Sequence, residues 1–273
     1  MLMTCVKNAL LHSPVSEIRA FDTIGSTNDE ALQWIDADAP DFALVIADQQ
    51  TQGRGRFKRQ WITRPEASLA FTVIFRPNAG EAASPSSLFA PLCALAVWQA
   101  LHDSLGLQAW IKWPNDILLE RKKCCGILVE AVWTGEQLKG IALGIGINIS
   151  ADSLPPDADT RFPATWIKKY TARPVERFAL LAEILNALQF WRSQLGNSEF
   201  LNTWQAHLAF RGETVRIVQN EKSSIIGIEE GIDAQGNLVL LTENNQRVTI
   251  EVGDVHLRPD DEKQAHIGGS YYA

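Results

Sequence analysis

Cysteine is scarce in this sequence and badly spaced for holding a metal. The four cysteines are Cys5, Cys93, Cys124 and Cys125, and they form no Cys-x-x-Cys pair with suitable partners. This pattern argues against a zinc site. We interpret the adjacent Cys124 and Cys125 as small buried residues rather than ligands. Such sparse thiols suit a reducing cytosol, so we expect a cytoplasmic protein.

An excess of basic residues is also missing. The 273 residues carry 25 Lys and Arg against 32 Asp and Glu, a formal net charge of −7. A general nucleic-acid binder is normally basic or shows a long basic face, so this composition argues against one. The N-terminal stretch is too short and too poorly patterned for a signal peptide, and we expect that no apolar run is long enough to span a bilayer. The 46% hydrophobic content suffices for a sizeable core.

The positive charge that is present is concentrated in one short stretch between two apolar segments. Residues 42–47 and 68–75 each resemble a buried strand. The stretch between them carries five cations and no acid from residue 54 to 64, namely Arg54, Arg56, Lys58, Arg59 and Arg64. Glycines 53 and 55 allow close backbone approach, and arginine matches a phosphate or carboxylate. It lacks the phosphate-loop and dinucleotide patterns. We therefore interpret this Gly-Arg loop (residues 50–61) as closing over a small anion, with a solvated basic loop as the alternative.

Three further segments combine polar residues with tight turns or glycines. Ser26-Thr27-Asn28 precedes a helical pattern, which indicates either a helix cap or donors for a polar ligand. Lys112-Trp-Pro-Asn-Asp116 places a lysine at a strand edge near a bend, as a surface lysine or an anion contact. Gly144 and Gly146 interrupt a strand pattern, which permits tight packing or a flat ligand on the sheet.

The composition changes at Phe210, which divides the chain into two predicted domains. Residues 1–209 contain strand patterns and helical patterns over 88–105, 174–195 and 197–209. Residues 210–273 contain short alternating strands at regular spacing and then a polar tail, which predicts a small all-β barrel or sandwich.

The motifs stand in an order that resembles the biotin protein ligases. They are Ser26-Thr27-Asn28, Gln50 with Gly53-Arg-Gly-Arg56, Lys112-Trp-Pro-Asn-Asp116, Lys123 with Gly126-Ile-Leu-Val-Glu130, and Gly144-Ile-Gly-Ile-Asn148. The resemblance runs from about Ile18 to Arg258 and implies an α+β fold. That fold is a mixed sheet flanked by helices, related to class II aminoacyl-tRNA synthetases, with a C-terminal SH3-like barrel. It also implies that biotin and Mg-ATP give biotinyl-5′-AMP, which is transferred to a lysine of a biotin carboxyl carrier domain.

The resemblance also implies roles for individual residues. Ser26, Thr27, Asn28 and Gln50 match the contacts to the biotin head, and Gly53, Arg54, Gly55 and Arg56 match the loop over biotin and adenylate. Lys112 and Asn115 match contacts to the nucleotide and its α-phosphate, with Arg54, Lys112 and Lys123 as the catalytic cations and Lys123 at the biotin carboxylate. Gly126, Gly144, Gly146 and Asn148 match the pocket lining, Trp166 an adenine cover, and Arg258 an arginine that approaches ATP. The ligands of Mg²⁺ stay open.

Two departures and several expectations follow from this resemblance. Lys58 replaces a glycine of the family loop, which leaves the backbone path of residues 57–59 and the role of Arg59 open. Only 25 residues precede Ser26, so we expect no winged-helix domain and no DNA binding. We expect a monomer or weak homodimer, and a Gly-Arg loop that orders on ligand binding, with residues 151–165 as a second candidate for such ordering. Asp116 is a candidate base for the amine, or else a turn cap. Arg54→Gly should let adenylate escape.

Three other functions compete with this interpretation. A lipoate–protein ligase uses the same two-step logic, and biotin-dependent thermal stabilisation in the presence of ATP would separate the two. A non-catalytic sensor or carrier-binding module would release no pyrophosphate. A nucleic-acid module on the Gly-Arg loop is disfavoured by the charge of −7.

Overall fold

The computed structural model describes residues 2–154, 163–220, 223–251 and 256–259, with Lys58, 219–220, 223 and 256–259 as backbone alone. A seven-stranded sheet forms the larger unit. Its strands are β1 (Ile18–Ile24), β2 (Ala43–Gln50), β3 (Ser68–Phe75), β4 (Trp110–Lys112), β5 (Asp116–Leu119), β6 (Lys122–Thr134) and β7 (Gln137–Asn148). Their order is β1-β2-β3-β7-β6-β5-β4. The β1–β2 pair is parallel and the others are antiparallel, which confirms the mixed sheet.

Helices cover both faces of this sheet. They are α1 (Leu2–Ala9), α2 (Thr27–Asp36), α3 (Ala79–Ala82), α4 (Phe89–Leu105), α5 (Arg177–Ser193) and α6 (Ser198–Ala206). Successive side chains of a strand point to opposite faces. On β3, Phe71 and Val73 accordingly join the α4 core, whereas Ile74 joins the separate cluster under α2. Thr72 alternates with Phe71 and Val73, so it lies on the α2 face, where the candidate site is found.

Several local expectations were wrong at helix ends. The capping-box spacing of Thr27 and Glu30 predicts Thr27 as the cap of α2, but Ser26 is the cap, because its hydroxyl accepts from the Asp29 amide at 3.5 Å. The helix expected from Pro174 begins at Arg177. Residues 78–87 are rich in Ala, Pro, Ser and Gly, which predicts a surface loop, yet they contain α3, which Asn78 caps. The N-terminal residues form α1, which the sequence patterns did not indicate.

Helix α4 overturns the expectation that no apolar run could span a bilayer. Residues Ser86–Leu105 are long and apolar enough by length and composition. However, 67% of the most apolar 18-residue window in that stretch is buried inside the protein, where α4 packs on α5 and on the sheet. The segment is therefore explained as a core helix, which passes the same test of length and composition.

The second unit is a five-stranded antiparallel sheet. Its strands are β8 (Thr214–Asn220), β9 (Ser223–Ile232), β10 (Leu238–Leu241), β11 (Arg247–Ile250) and β12 (His256–Pro259), in the order β11-β10-β9-β8-β12. This arrangement is consistent with the predicted SH3-like barrel. The boundary at residues 209 and 210 stays a prediction.

Contacts between the two units fix the stretch that carries Lys112. The indole Nε1 of Trp113 donates to the Gly236 carbonyl at 3.0 Å, and Trp113 is 1% exposed. The segment that leads into the small unit also pairs with edge strand β4: the Ile111 amide donates to His207 O at 2.8 Å, and the Ala209 amide donates to Ile111 O at 3.0 Å. A forked ion pair joins Arg121 to Glu213 at 2.8 and 2.9 Å. The small unit thus holds the end of β4 in place.

A buried carboxyl group in the small unit makes its stability depend on pH. Glu229 is 1% exposed, and neither carboxyl oxygen has a hydrogen-bond partner among the described residues. Burial first, and then the charge of Glu213, raise the pKa of Glu229 to about 8. Because the folded pKa lies above the unfolded value of about 4.5, stability is lost as pH rises from about 4.5 to 8.

We expect Glu229→Gln to stabilise the protein at pH 9 by about 1–3 kcal/mol, because it removes the cost of ionising a buried group. The gain should shrink toward zero at pH 5. Urea unfolding at both pH values measures the difference, with the exposed Glu183→Gln on α5 as control. An equal gain at both pH values would contradict ionisation as the cause.

Candidate active site

A cavity of about 680 Å³ opens on the sheet between the Gly-Arg loop, the β4–β5 turn and the start of α2. Most of the residues singled out in the sequence line it. They are Ser26, Thr27, Asn28, Gln50, Arg54, Gly55, Arg56, Lys112, Asn115, Lys123, Gly126, Gly144, Gly146 and Asn148. Gly53 lines a neighbouring cavity instead, and Trp166 does not line either one. The Arg258 side chain and residues 155–162 of the expected second mobile segment lie outside the described part of the chain.

One end of the cavity is a polar cluster at the start of α2. The Thr27 amide and hydroxyl donate to Gln50 Oε1 at 2.8 and 3.1 Å. These bonds occupy the acceptor of the Gln50 amide and turn its Nε2 donors away from Thr27. Among the described residues no hydrogen-bond acceptor is recorded for Gln50 Nε2. The cluster therefore offers donors to a neutral polar group such as a urea or amide.

Asn28, expected to bind ligand directly, makes three side-chain hydrogen bonds within the protein. Its Oδ1 accepts from the Thr72 hydroxyl at 2.6 Å, and its Nδ2 donates to Leu128 O at 3.2 Å and Glu130 Oε2 at 2.8 Å. A Cβ on Gly144 would lie 2.1 Å from Asn28 Oδ1, so glycine is required for this approach. Asn28 therefore shapes the cavity, and its amide donors are used within the protein.

Arg54 ties the Gly-Arg loop to the rest of the molecule. Its Nη1 donates to Glu130 Oε1 at 2.9 Å, and its Nη2 donates to Glu130 Oε2 at 3.0 Å and Asp29 Oδ1 at 2.5 Å. The hydrogen bond that Arg54 donates to Glu130 is the largest cause that raises the pKa of Arg54; burial opposes it and Asp29 supports it. Arg54 was expected to face the ligand as a catalytic cation, yet its guanidinium here binds carboxylates of α2 and β6.

The backbone of the loop turns at Phe57, next to the position where Lys58 departs from the family pattern. Phe57 has φ 58° and ψ 37°, a left-handed conformation that bulky residues seldom adopt. Its ring is 42% exposed and lies under the Arg56 guanidinium, 4.9 Å from the ring centroid. Arg56 Nη1 also reaches Asn115 Oδ1 at 3.4 Å, so it spans from the loop to the β4–β5 turn.

Two lysines and one aspartate form the charged wall of the cavity. Asp116 Oδ1 lies 2.6 Å from Lys123 Nζ, and its Oδ2 lies 3.3 Å from Lys112 Nζ. Burial lowers the pKa of Lys112, although Asp116 opposes this effect. Burial acts to raise the pKa of Asp116, but Lys123 and Lys112 together hold it below its ordinary value. Two positive charges thus share one carboxylate, which leaves net positive charge for an anionic ligand.

This geometry disfavours both roles considered for Asp116. A lowered pKa makes a carboxylate a poor proton acceptor, and both of its oxygens face ammonium groups. A simple turn cap does not describe it either. Asp116 is the counter-ion that allows two lysines to be placed side by side.

The floor of the cavity contains a residue for which the sequence suggested no role. A Cβ on Gly146 would lie 2.4 Å from Trp61 Cε2, and a Cβ on Gly126 would lie 3.1 Å from the same indole. Lys123 Nζ lies 5.7 Å from the centroid of the Trp61 ring. The two glycines therefore accommodate Trp61 itself. The sequence did contain a sign of this packing, because glycines on neighbouring strands leave room for a flat side chain such as an indole.

We expect Gly146→Ala to destabilise the protein by about 1–3 kcal/mol, because the added methyl overlaps Trp61 and forces the loop outward. Urea unfolding measures the change. Gly25→Ala is a matched control, since its Cβ would meet only Gln52 at 3.9 Å. Equal stability of the two variants would show that Trp61 is not packed on Gly146.

Comparisons with known proteins identify relatives of this chain. Residues 20–148 match the biotin/lipoate A/B protein ligase family, and residues 210–258 match the biotin protein ligase C-terminal domain. A biotin–[acetyl-CoA-carboxylase] ligase of Paracoccus denitrificans is 35% identical, over 79% of this chain and 90% of the relative. Its Mycobacterium tuberculosis counterpart is 30% identical, over 86% of each chain. The fold is similar to the Aquifex aeolicus biotin protein ligase in complex with biotin and ATP, with a TM-score of 0.77 and 24% identity over 90% of this chain and 100% of that one.

Proposed function

The chain belongs to the biotin/lipoate protein ligase family, and we propose that its cavity activates biotin with ATP and transfers the biotinyl group to a carrier lysine. In the first step a biotin carboxylate oxygen attacks the α-phosphorus of ATP. A new P–O bond forms as the bond to the β-phosphate oxygen breaks, and pyrophosphate leaves. The product is the mixed anhydride biotinyl-5′-AMP.

The observation that carries this proposal is the paired lysines beside the Arg-rich loop in one cavity. The reaction brings an anionic carboxylate onto a phosphorus surrounded by negative oxygens. Cations fixed in advance around the developing phosphorane lower that barrier. Lys112 contacts the α-phosphate and Lys123 the biotin carboxylate, while Arg56 reaches over both from the loop.

The other lining residues position the two substrates. Ser26, Thr27 and Gln50 bind the ureido head of biotin, and Asn28 holds their arrangement. Trp61 packs on the hydrocarbon part of the ligand. Asn115 and Asn148 lie at the nucleotide end of the cavity, with Trp166 and Arg258 proposed as outer ATP contacts. The Gly-Arg loop, through Gly53 and Gly55, folds over the anhydride and excludes water.

Magnesium enters as part of the substrate Mg-ATP. Among the described residues that line the cavity, Asp116 is the one carboxylate, and two lysines occupy it. Among all described residues no cluster of three or more His, Cys, Asp or Glu side chains could hold a metal. These observations fit an ion held mainly by phosphate oxygens and water.

In the second step the neutral amine of a carrier lysine attacks the anhydride carbonyl. An amide bond forms, AMP leaves, and the amine loses a proton. The partner is the biotin carboxyl carrier domain of acetyl-CoA carboxylase or a related carboxylase. We further propose a cytoplasmic monomer or weak homodimer that binds neither DNA nor membrane, supported by the net charge of −7 and by three buried free thiols.

Pyrophosphate exchange into ATP tests the proposal. We expect exchange that depends on biotin and is absent with lipoate, because the polar cluster around Gln50 is matched to a ureido group. Exchange with lipoate alone would identify a lipoate ligase. No exchange with either acid would identify a non-catalytic relative.

A further inference from the structure

Glu130 joins the Gly-Arg loop to the polar end of the cavity. Its two carboxylate oxygens receive Arg54 Nη1 and Nη2 at 2.9 and 3.0 Å, which is a forked, charge-assisted pair. The same carboxylate accepts from Asn28 Nδ2 at 2.8 Å. Through Asn28, the contact continues to the Thr72 hydroxyl on β3 at 2.6 Å. One side chain thus connects the loop, the start of α2 and the sheet.

We propose that Glu130 is a positioning residue. Its ion pair with Arg54, called the latch below, holds the Gly-Arg loop closed. Through Asn28, the same carboxylate couples this closure to the polar cluster at the start of α2. This inference rests on the proposed function for its consequences in catalysis, but the latch itself does not. When Arg54 pairs with Glu130, the loop lies against β6, and Asn28 is fixed in the orientation that Thr72 and Gly144 allow. When the pair is broken, both the loop and the Asn28 amide lose a partner.

Asp29 contributes less than Glu130. Its side chain is 44% exposed and makes one contact with Arg54, whereas the Glu130 side chain is 26% exposed and makes two. Exposed pairs are screened by solvent and contribute little. Asp29 also has no recorded side-chain bond to Asn28 among the described residues. The latch therefore depends mainly on Glu130. Replacing Asp29 serves as a comparison, because it removes the weaker of the two ion pairs of Arg54.

The contacts of Arg54 assign it a role other than phosphate binding. Its Nε is buried without a hydrogen-bond partner among the described residues, so the two Nη groups make the recorded contacts. Arg56 reaches the nucleotide side of the cavity instead, through Asn115. We assign closure to Arg54 and phosphate contact to Arg56.

Chymotrypsin cleavage of the ligand-free protein at Phe57 tests the latch directly, because Phe57 is 42% exposed and none of the variants removes it. We expect Glu130→Gln to speed cleavage about five- to tenfold. This range corresponds to the loss of an ion pair that is partly screened by solvent but is forked and charge-assisted. Asp29→Asn should have a smaller effect. Glu136→Gln, an exposed change beyond the end of β6, should have none. Urea midpoints identify any variant that has lost its fold.

A double-mutant cycle makes the test specific to the pair. Arg54→Ala combined with Glu130→Gln should be cleaved no faster than the faster single variant, because either change opens the same latch. Cleavage of Glu130→Gln at the parent rate would overturn the proposal. Additive effects of the two changes would overturn it as well.

Kinetics then separate the latch from the proposed function. In Glu130→Gln, we expect the biotin KM to rise about fivefold with a smaller change in kcat for pyrophosphate exchange, and adenylate to dissociate faster. A fall in kcat with unchanged KM and unchanged adenylate release would contradict the coupling. If the parent protein shows no biotin-dependent exchange, the proposed function fails, while the cleavage cycle still decides whether the latch exists.

Discussion

Replacing Lys112 with alanine is expected to slow adenylate formation about 10²–10³-fold while changing biotin affinity by less than about twofold. Lys112 lies at the end of β4, and its side chain is 13% exposed beside Asp116. Its charge matters most as negative charge redistributes at the α-phosphorus, and biotin alone carries no phosphate. Interactions that strengthen only in the transition state affect rate rather than ground-state binding.

Single-turnover adenylation and calorimetric biotin binding measure the two quantities separately. Lys168→Ala is the matched control, since Lys168 is exposed and lies outside the cavity. Equal losses in rate and biotin affinity would show that Lys112 acts in ground-state binding only. The pH dependence adds a second check. Because burial lowers the pKa of Lys112, the rate should fall with rising pH below the ordinary lysine value of 10.5.

Replacing Asp116 with alanine is expected to destabilise the fold by about 3–5 kcal/mol, because it removes the carboxylate beside the largely buried Lys112 ammonium and the partly buried Lys123 ammonium. The Asp116 side chain is 10% exposed, and Lys112 and Lys123 approach its two oxygens. Burying a charge without a partner is costly, and here the two remaining charges also repel each other.

Urea unfolding measures this loss, with the exposed Asp22→Asn on β1 as control. The physical cause is tested by a second change. Asp116→Ala combined with Lys112→Ala should be more stable than Asp116→Ala alone, since one of the repelling charges is gone. A double variant that is less stable than the single one would contradict electrostatic compensation.

Elements with strong periodicity could be predicted from the sequence. The buried strand over 68–75 coincides with β3, and the apolar stretch from 88 to 105 contains α4. The sequence-based predictions were wrong where two neighbouring residues could serve the same local role. Ser26 and Thr27 are both suitable caps, and only the tertiary fit of Thr27 to Gln50 decides between them. The helix α1 depends on packing that no local signal reports.

The cavity could be predicted as a set of residues but not as a set of contacts. Ser26, Gln50, Lys112 and Lys123 come together as expected. The partners of Arg54 could not be inferred, because Asp29 and Glu130 lie 25 and 76 residues away along the chain. Likewise Gly144 and Gly146 were compatible with tight packing or with a flat ligand on the sheet, and the close approach of Asn28 and Trp61 favours tight packing. Long-range pairing decides which charged groups remain available to a ligand.

A crystal structure with biotin and a non-hydrolysable ATP analogue tests the account most directly. The account predicts the biotin carboxylate and the α-phosphate side by side within hydrogen-bond distance of Lys123 and Lys112, beneath the loop that carries Arg56. Ligands bound elsewhere, away from the two lysines, would contradict it.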